Sequence, residues 1–107
     1  MRLPDAERAV VEKGKIERYL FSTTHLQGRH KQRVFAAAGY NVQSLTEALL
    51  RLARESNDAE ELPSSFGRKF AIRGRLPSRS GSLIVTTIWM LREGEPPPYF
   101  VTAYPTK

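Results

Sequence analysis

The chain contains no cysteine, only two aspartates and no long apolar run. Without cysteine there is no disulfide framework, no thiolate metal site and no cysteine nucleophile. The longest apolar-leaning stretch, residues 83–91, is far too short to span a bilayer, and residues 1–8 lack the apolar core of a signal peptide. We therefore expect a cytoplasmic protein with no membrane partner, although a toxin domain cut from a longer secreted chain would look the same.

Acidic residues are also missing from two long segments. There is no acid between Glu17 and Glu47, or between Glu61 and Glu93, while basic residues recur in both intervals. The whole chain has 17 Lys and Arg against 11 Asp and Glu, a formal net charge of +6. Two basic blocks can form a continuous positive face that attracts phosphates. The alternative is an ordinary solvated surface that keeps a small protein soluble.

The length of 107 residues and the 40% hydrophobic content are typical of one folded domain. We expect a single domain over residues 1–107 with four parts in chain order. These are an N-terminal arm (1–12), a helical part (13–56), a linker (57–65) and an antiparallel sheet (66–105).

The helical part shows apolar residues at helical spacing. We expect short helices over residues 15–21 and 29–38, with Gly39 as the C-terminal cap of the second. A capping box at residues 44–47 (Ser-Leu-Thr-Glu) predicts the start of a third, strongly amphipathic helix.

After residue 65 the apolar period changes from 3.6 to 2. Residues 69–76 alternate between apolar and basic, residues 83–91 are apolar on both faces, and residues 99–104 form another apolar run. The predicted fold is α+β, with N-terminal helices packed on one face of a small antiparallel meander of about three to four strands.

Several kinds of catalytic site find no support in the sequence. No acid falls in a predicted strand, so the clustered carboxylates of a two-metal nuclease are missing. His25 and His30 have no obvious third metal ligand, and the chain has no phosphate-binding or dinucleotide-binding glycine loop. We expect neither a metal nor a cofactor.

The segment at residues 28–35 (Gly-Arg-His-Lys-Gln-Arg-Val-Phe) is the best candidate for chemistry. If Arg29 begins a helix, His30 and Lys31 lie in its first turn, where free N–H groups and the dipole favour an anion. His30 can move protons near neutral pH, and Lys31 and Arg33 can neutralise a phosphate. These residue types suffice for metal-independent RNA cleavage, but a partly buried histidine among solvated cations is the simpler interpretation.

Two further clusters lie in the predicted sheet. Thr102 and Tyr104 share one face of the last strand and can contact phosphate or donate a proton, although both residue types are also common as plain strand residues. Arg73 and Arg75, with Lys69, are candidates for a basic strip that follows a nucleic-acid backbone.

The chain resembles a bacterial family, domain of unknown function 6883. The resemblance lies in residues 3–11, in 22–25 and above all in 28–35, and the spacing to residues 87–89 and 101–105 also fits. Leu26 departs from the pattern, which has proline after the histidine. The family layout is similar to that of the barnase/EndoU/colicin/RelE ribonuclease superfamily, whose members are toxins that cut RNA without metal. The resemblance also implies a small partner protein of the antitoxin or immunity type.

Chemistry and resemblance together favour a metal-independent, toxin-type endoribonuclease. The expected catalytic residues are His30 or His25, Lys31, Arg33, Thr102 and Tyr104, and the expected RNA-binding residues are Arg29, Lys69, Arg73 and Arg75. The expected partners are RNA and a small acidic antitoxin-like or immunity-like protein. A non-catalytic nucleic-acid-binding module and an antitoxin or immunity-type interaction domain remain alternatives, and the oligomeric state stays open.

Overall fold

The computed structural model describes residues 1–12, 14, 16, 35, 38–65, 67–78, 81–92 and 97–105. In this part of the chain, one α-helix packs on a four-stranded antiparallel sheet, which confirms the predicted α+β fold. The predicted helices over 15–21 and 29–38 lie outside the described residues, apart from positions 16, 35 and 38. No helix in the described part is long and apolar enough to cross a membrane.

The helix α1 spans Val42–Glu55 and buries Leu45, Leu49 and Ala53 at successive four-residue intervals. It begins earlier than the sequence predicted. Asn41 is the N-cap: its side chain accepts from the Ser44 amide (2.8 Å), and its own amide donates to the Ser44 hydroxyl (2.9 Å). The predicted box at 44–47 was therefore wrong by one turn, because Asn caps a helix as well as Ser does and Ser44 serves as its reciprocal partner.

The sheet is a meander in the order β1-β2-β3-β4. Its strands are β1 (Ala59–Leu62), β2 (Arg68–Ser78), β3 (Gly81–Leu91) and β4 (Tyr99–Pro105).

Strand β1 lies inside the predicted linker, so that part of the prediction was wrong. Only Ala59 of this strand is buried, and the two glutamates that follow it interrupt the alternation of apolar and polar residues by which a strand is recognised in a sequence. At the sheet edge such acids are tolerated. Glu61 accepts two hydrogen bonds from the Arg68 guanidinium, at 2.8 and 3.1 Å, which lower the pKa of this carboxyl.

The core lies between α1 and one face of the sheet. Trp89 and Phe100 meet there edge to face, with ring centroids 5.5 Å apart. The Trp89 indole N–H donates to the fully buried Thr87 hydroxyl (2.8 Å), which in turn donates to the Ile72 carbonyl (3.1 Å). This chain of hydrogen bonds satisfies the polar groups that the central strand buries.

The N-terminal arm joins the two edges of the sheet. At one edge the Ala59 amide donates to the Met1 carbonyl (2.8 Å). At the other, the Val10 carbonyl accepts from the Phe100 amide (2.9 Å), and Val10 forms a parallel bridge with Tyr99. Between these two sets of hydrogen bonds, a 3₁₀ helix at Ala6–Arg8 contacts α1. Three apolar residues of the arm are buried in the core: Leu3, Ala6 and Ala9.

Gly39, the predicted C-terminal cap, has the left-handed backbone that such a cap requires. Gly39 has a φ of 101°, and the Tyr40 amide donates to the Phe35 carbonyl (3.1 Å). This bond spans a glycine with left-handed backbone, which is how a chain commonly leaves a helix. Phe35 itself is fully buried in the core.

Candidate functional site

The two faces of the sheet differ in what they carry. A Cβ on Gly74 would collide with the Leu52 side chain of α1, so Gly74 and its alternate neighbours in β2 face the helix. Lys69, Arg73 and Arg75 therefore point to the opposite face, which we call the outer face. Arg73 and Arg75 are exposed there and Lys69 is half-buried.

A β-bulge in β4 decides what that strand adds to the outer face. Trp89 pairs with Phe100, but its neighbour Ile88 pairs with Thr102, so Val101 is an extra residue. Phe100 faces the core, and simple alternation would bury Thr102 and Tyr104 beside it. The extra residue reverses the alternation, so that Ala103 is buried and both hydroxyl side chains lie on the outer face.

The register then aligns three polar side chains across neighbouring strands. Arg73 of β2 is opposite Thr86 of β3, and Thr86 is opposite Tyr104 of β4. Adjacent strands are about 4.8 Å apart, so the backbones of Arg73 and Tyr104, two strands apart in this row, lie about 10 Å from each other. Tyr104 is 39% exposed, which makes it the most accessible large side chain of β4.

The rest of the outer face has a simple layout. Basic residues lie along β2 and hydroxyl-bearing residues along β4, while Ile84, Ile88 and Met90 of β3 form an apolar middle. Strands β2, β3 and β4 contain no acidic residue. At one end the Arg92 guanidinium lies over the Tyr99 ring, 4.7 Å from its centroid, and adds another cation. The face therefore combines positive charge with hydroxyl donors, which suits a phosphodiester.

Five of the predicted site residues lie within the described part of the chain, and all five share this face: Lys69, Arg73, Arg75, Thr102 and Tyr104. The other five, His25, Arg29, His30, Lys31 and Arg33, lie outside the described residues. Sequence reasoning missed Thr86, because its neighbour Thr87 looks equivalent until the strand register is known.

Metal-ligand side chains do not cluster in the described part of the chain. Among those residues, no three His, Cys, Asp or Glu side chains lie close enough together to hold a metal ion.

A family model described as a domain of unknown function, DUF6883, matches residues 2–107, which is nearly the whole chain. The chain belongs to this family. No curated protein matches the sequence significantly.

A solved structure has a similar fold. It is that of a contact-dependent growth inhibition toxin–immunity protein complex from Klebsiella pneumoniae 342. The similarity has a TM-score of 0.66 and covers 98% of this chain and 99% of the matched one, at 14% sequence identity. At such low identity the likeness establishes a common fold and nothing finer.

Proposed function

We propose that this protein is a toxin-type endoribonuclease that cleaves RNA without a metal ion. The outer face would bind the RNA backbone through Arg73, Arg75 and Lys69, with Arg29 extending the contact. Cleavage would use the 2′-hydroxyl of the substrate as nucleophile.

The proposed reaction is a transesterification. His30, or His25 in its place, takes the proton from the 2′-OH, whose oxygen attacks phosphorus as the bond to the 5′-oxygen breaks. Lys31 and Arg33 stabilise the charge that develops on the phosphoryl oxygens. Thr102 and Tyr104 contact the phosphate, and Tyr104 can protonate the leaving 5′-oxygen. The products are a 2′,3′-cyclic phosphate and a free 5′-hydroxyl.

The observation that carries this proposal is the bulge at Val101. Bulges are frequent beside active sites because they re-aim side chains. Here the bulge turns Thr102 and Tyr104 out of the core and toward the basic residues of β2. The bulge therefore exposes a pair of hydroxyl side chains that simple alternation would bury.

A second part of the proposal concerns a protein partner. The similar solved structure is that of a toxin–immunity protein complex, and this chain carries a net charge of +6. We propose that the partner is a small acidic protein of the immunity or antitoxin type, because opposite charge favours encounter with a basic surface. Such a partner would inhibit the ribonuclease by covering the outer face.

The test is incubation of the pure protein with total RNA in EDTA. We expect cleavage that leaves 2′,3′-cyclic phosphate ends. The cleavage rate should fall about 10²- to 10⁴-fold in His30→Ala and in Tyr104→Phe, because each substitution removes a group that transfers a proton. Arg73→Gln should weaken RNA binding roughly equally for all sequences and reduce its salt dependence by about one phosphate contact.

The matched control is Arg54→Gln, which removes an equal charge from α1 rather than from the outer face. Each variant must keep its far-ultraviolet circular dichroism and its thermal midpoint. If folded wild type leaves RNA intact in EDTA, the ribonuclease proposal is wrong. RNA retention that weakens steeply with salt would then indicate a binding module, and indifference to RNA would indicate an interaction domain.

A further inference from the structure

A second row of side chains crosses the outer face, away from the row that contains Thr86. Lys69 of β2 is opposite Met90 of β3, and Met90 is opposite Tyr99 of β4. Tyr99 in turn forms a parallel bridge with Val10 of the N-terminal arm. Residues paired in this way project from the same face of a sheet. We call Met90, Tyr99 and Val10 the apolar row, and Lys69 stands at one end of it.

The apolar row is accessible from outside the protein. Met90 and Tyr99 are half-buried. Val10 is 43% exposed, although Ala9 beside it is buried in the core. Apolar side chains that lie together within a charged rim commonly mark a binding site, whereas single exposed ones do not.

Arg92 adds a flat cation to the apolar row. Its guanidinium lies over the Tyr99 ring, 4.7 Å from the ring centroid. A side-chain hydrogen bond with Tyr99 raises the pKa of Arg92, and attraction by the Glu12 carboxylate adds least to this rise. The two contacts with Tyr99 hold the guanidinium against the ring, while Arg92 as a whole is exposed.

This combination of groups is suited to a nucleobase. Bases stack on aromatic rings and on guanidinium planes, because every base has a flat π-face. Lys69 and Arg92 bring positive charge to both sides of Met90, and β2, β3 and β4 contain no acid, so the phosphates on either side of a bound base are attracted as well. A duplex keeps the faces of its bases inside the stack. We propose that the apolar row and Arg92 bind an unpaired base of single-stranded RNA.

The proposed base site is separate from the place of cleavage. Met90 lies four residues from Thr86 along β3, which is about 13 Å at the usual rise of a strand. A base bound at Met90 therefore adds affinity and selects unpaired RNA, and takes no part in proton transfer. This role rests on the proposed function, because it assigns the class of RNA that the same face would receive.

The probes are two 2′-O-methyl oligonucleotides of equal length and charge, one with bases and one abasic, titrated into the whole protein at low salt and followed by fluorescence anisotropy. The blocked 2′-oxygen prevents cleavage, so binding is measured whether or not the protein is a ribonuclease. We expect the probe with bases to bind about 5- to 150-fold more tightly, as for one stacked base. Equal affinity for the two probes would overturn the base site and leave the ribonuclease proposal untouched.

Arg92→Lys separates stacking from charge, since lysine keeps the positive charge but lacks the flat guanidinium. The abasic probe should bind this variant as it binds the wild type, while the advantage of the probe with bases should fall at least about fivefold. The matched control is Arg54→Lys, the same exchange on α1, which should keep the full advantage. An unchanged advantage in Arg92→Lys with native circular dichroism would overturn the proposal.

A second measurement needs no variant. A 2′-O-methyl oligonucleotide carrying one 4-thiouracil base is crosslinked to the wild-type protein with near-ultraviolet light, and mass spectrometry locates the attachment. We expect attachment at Met90, Tyr99 or Arg92. Attachment confined to other parts of the molecule would overturn the proposal, even if the protein cleaves RNA.

Discussion

Replacing Thr87 by valine should destabilise the protein although the two side chains have nearly the same shape. Thr87 is fully buried on β3, where its hydroxyl accepts from the Trp89 indole N–H (2.8 Å) and donates to the Ile72 carbonyl (3.1 Å). Valine offers no acceptor, so the indole N–H stays buried without a partner. A buried donor left unsatisfied costs about 1–3 kcal/mol, and the more apolar valine offsets part of this.

We expect a net loss of about 1–2 kcal/mol in the free energy of unfolding. For a chain of this size that corresponds to a fall of roughly 4–15 °C in the thermal midpoint. Urea unfolding followed by circular dichroism measures the free energy directly. An unchanged dependence on urea concentration would show that the denatured state is unaffected.

The decisive assay is a double-mutant cycle with Trp89→Phe, which removes the donor. Once the indole N–H is absent, Thr87→Val should cost about 1 kcal/mol less than it does in the wild type. Strictly additive effects of the two substitutions would refute the reasoning, since they would mean that the Thr87 hydroxyl and the Trp89 indole do not interact.

Three other changes test separate features of the fold. Gly67→Ala should lower the free energy of unfolding by at least about 1 kcal/mol more than Gly81→Ala does, as measured by thermal unfolding of the two variants. Both glycines have a positive φ (84° and 132°), but only a Cβ at position 67 would collide with a backbone carbonyl of β3. Asn41→Ala should lower stability by about 1 kcal/mol through loss of the N-cap, whereas no change would mean that α1 is capped in another way. The Glu61 carboxyl should titrate below its ordinary range by nuclear magnetic resonance and return toward it in Arg68→Gln. Because the pKa of Glu61 is lowered in the folded state, the Glu61–Arg68 pair stabilises the fold at neutral pH, and this contribution is lost as the pH falls through the lowered pKa. If the titration midpoint of Glu61 is the same in Arg68→Gln as in the wild type, Arg68 is not the cause of the lowered pKa.

The sequence predicted the class of fold because its two hydrophobic periods are distinct. The helical stripe of α1 and the alternation of Phe70 and Ile72 with basic residues are both local signals. Strand β1 escaped prediction because it is short, lies at the edge and pairs through its backbone more than through apolar side chains. What holds it in place is a long-range partner, β2, which no local pattern reveals.

The candidate site was predictable only in part for a similar reason. Alternation showed that Thr102 and Tyr104 share a face, and that Arg73 and Arg75 share a face. Whether these are the same face depends on the register between strands and on the bulge at Val101, and neither leaves a signature in the sequence. Only the structure shows the bulge, in the three-residue spacing of two buried residues of β4, Phe100 and Ala103.

The N-terminal arm has a consequence for the order of folding. Each strand of the meander pairs with its neighbour in the chain, so the sheet needs only short loops to close. The arm, in contrast, joins Met1 to Ala59 and Val10 to β4, contacts that are distant in sequence and costly in loop-closure entropy. The arm should therefore dock after the sheet has formed and open before it, and the Val10 amide should exchange with solvent sooner than the amides shared by β2 and β3.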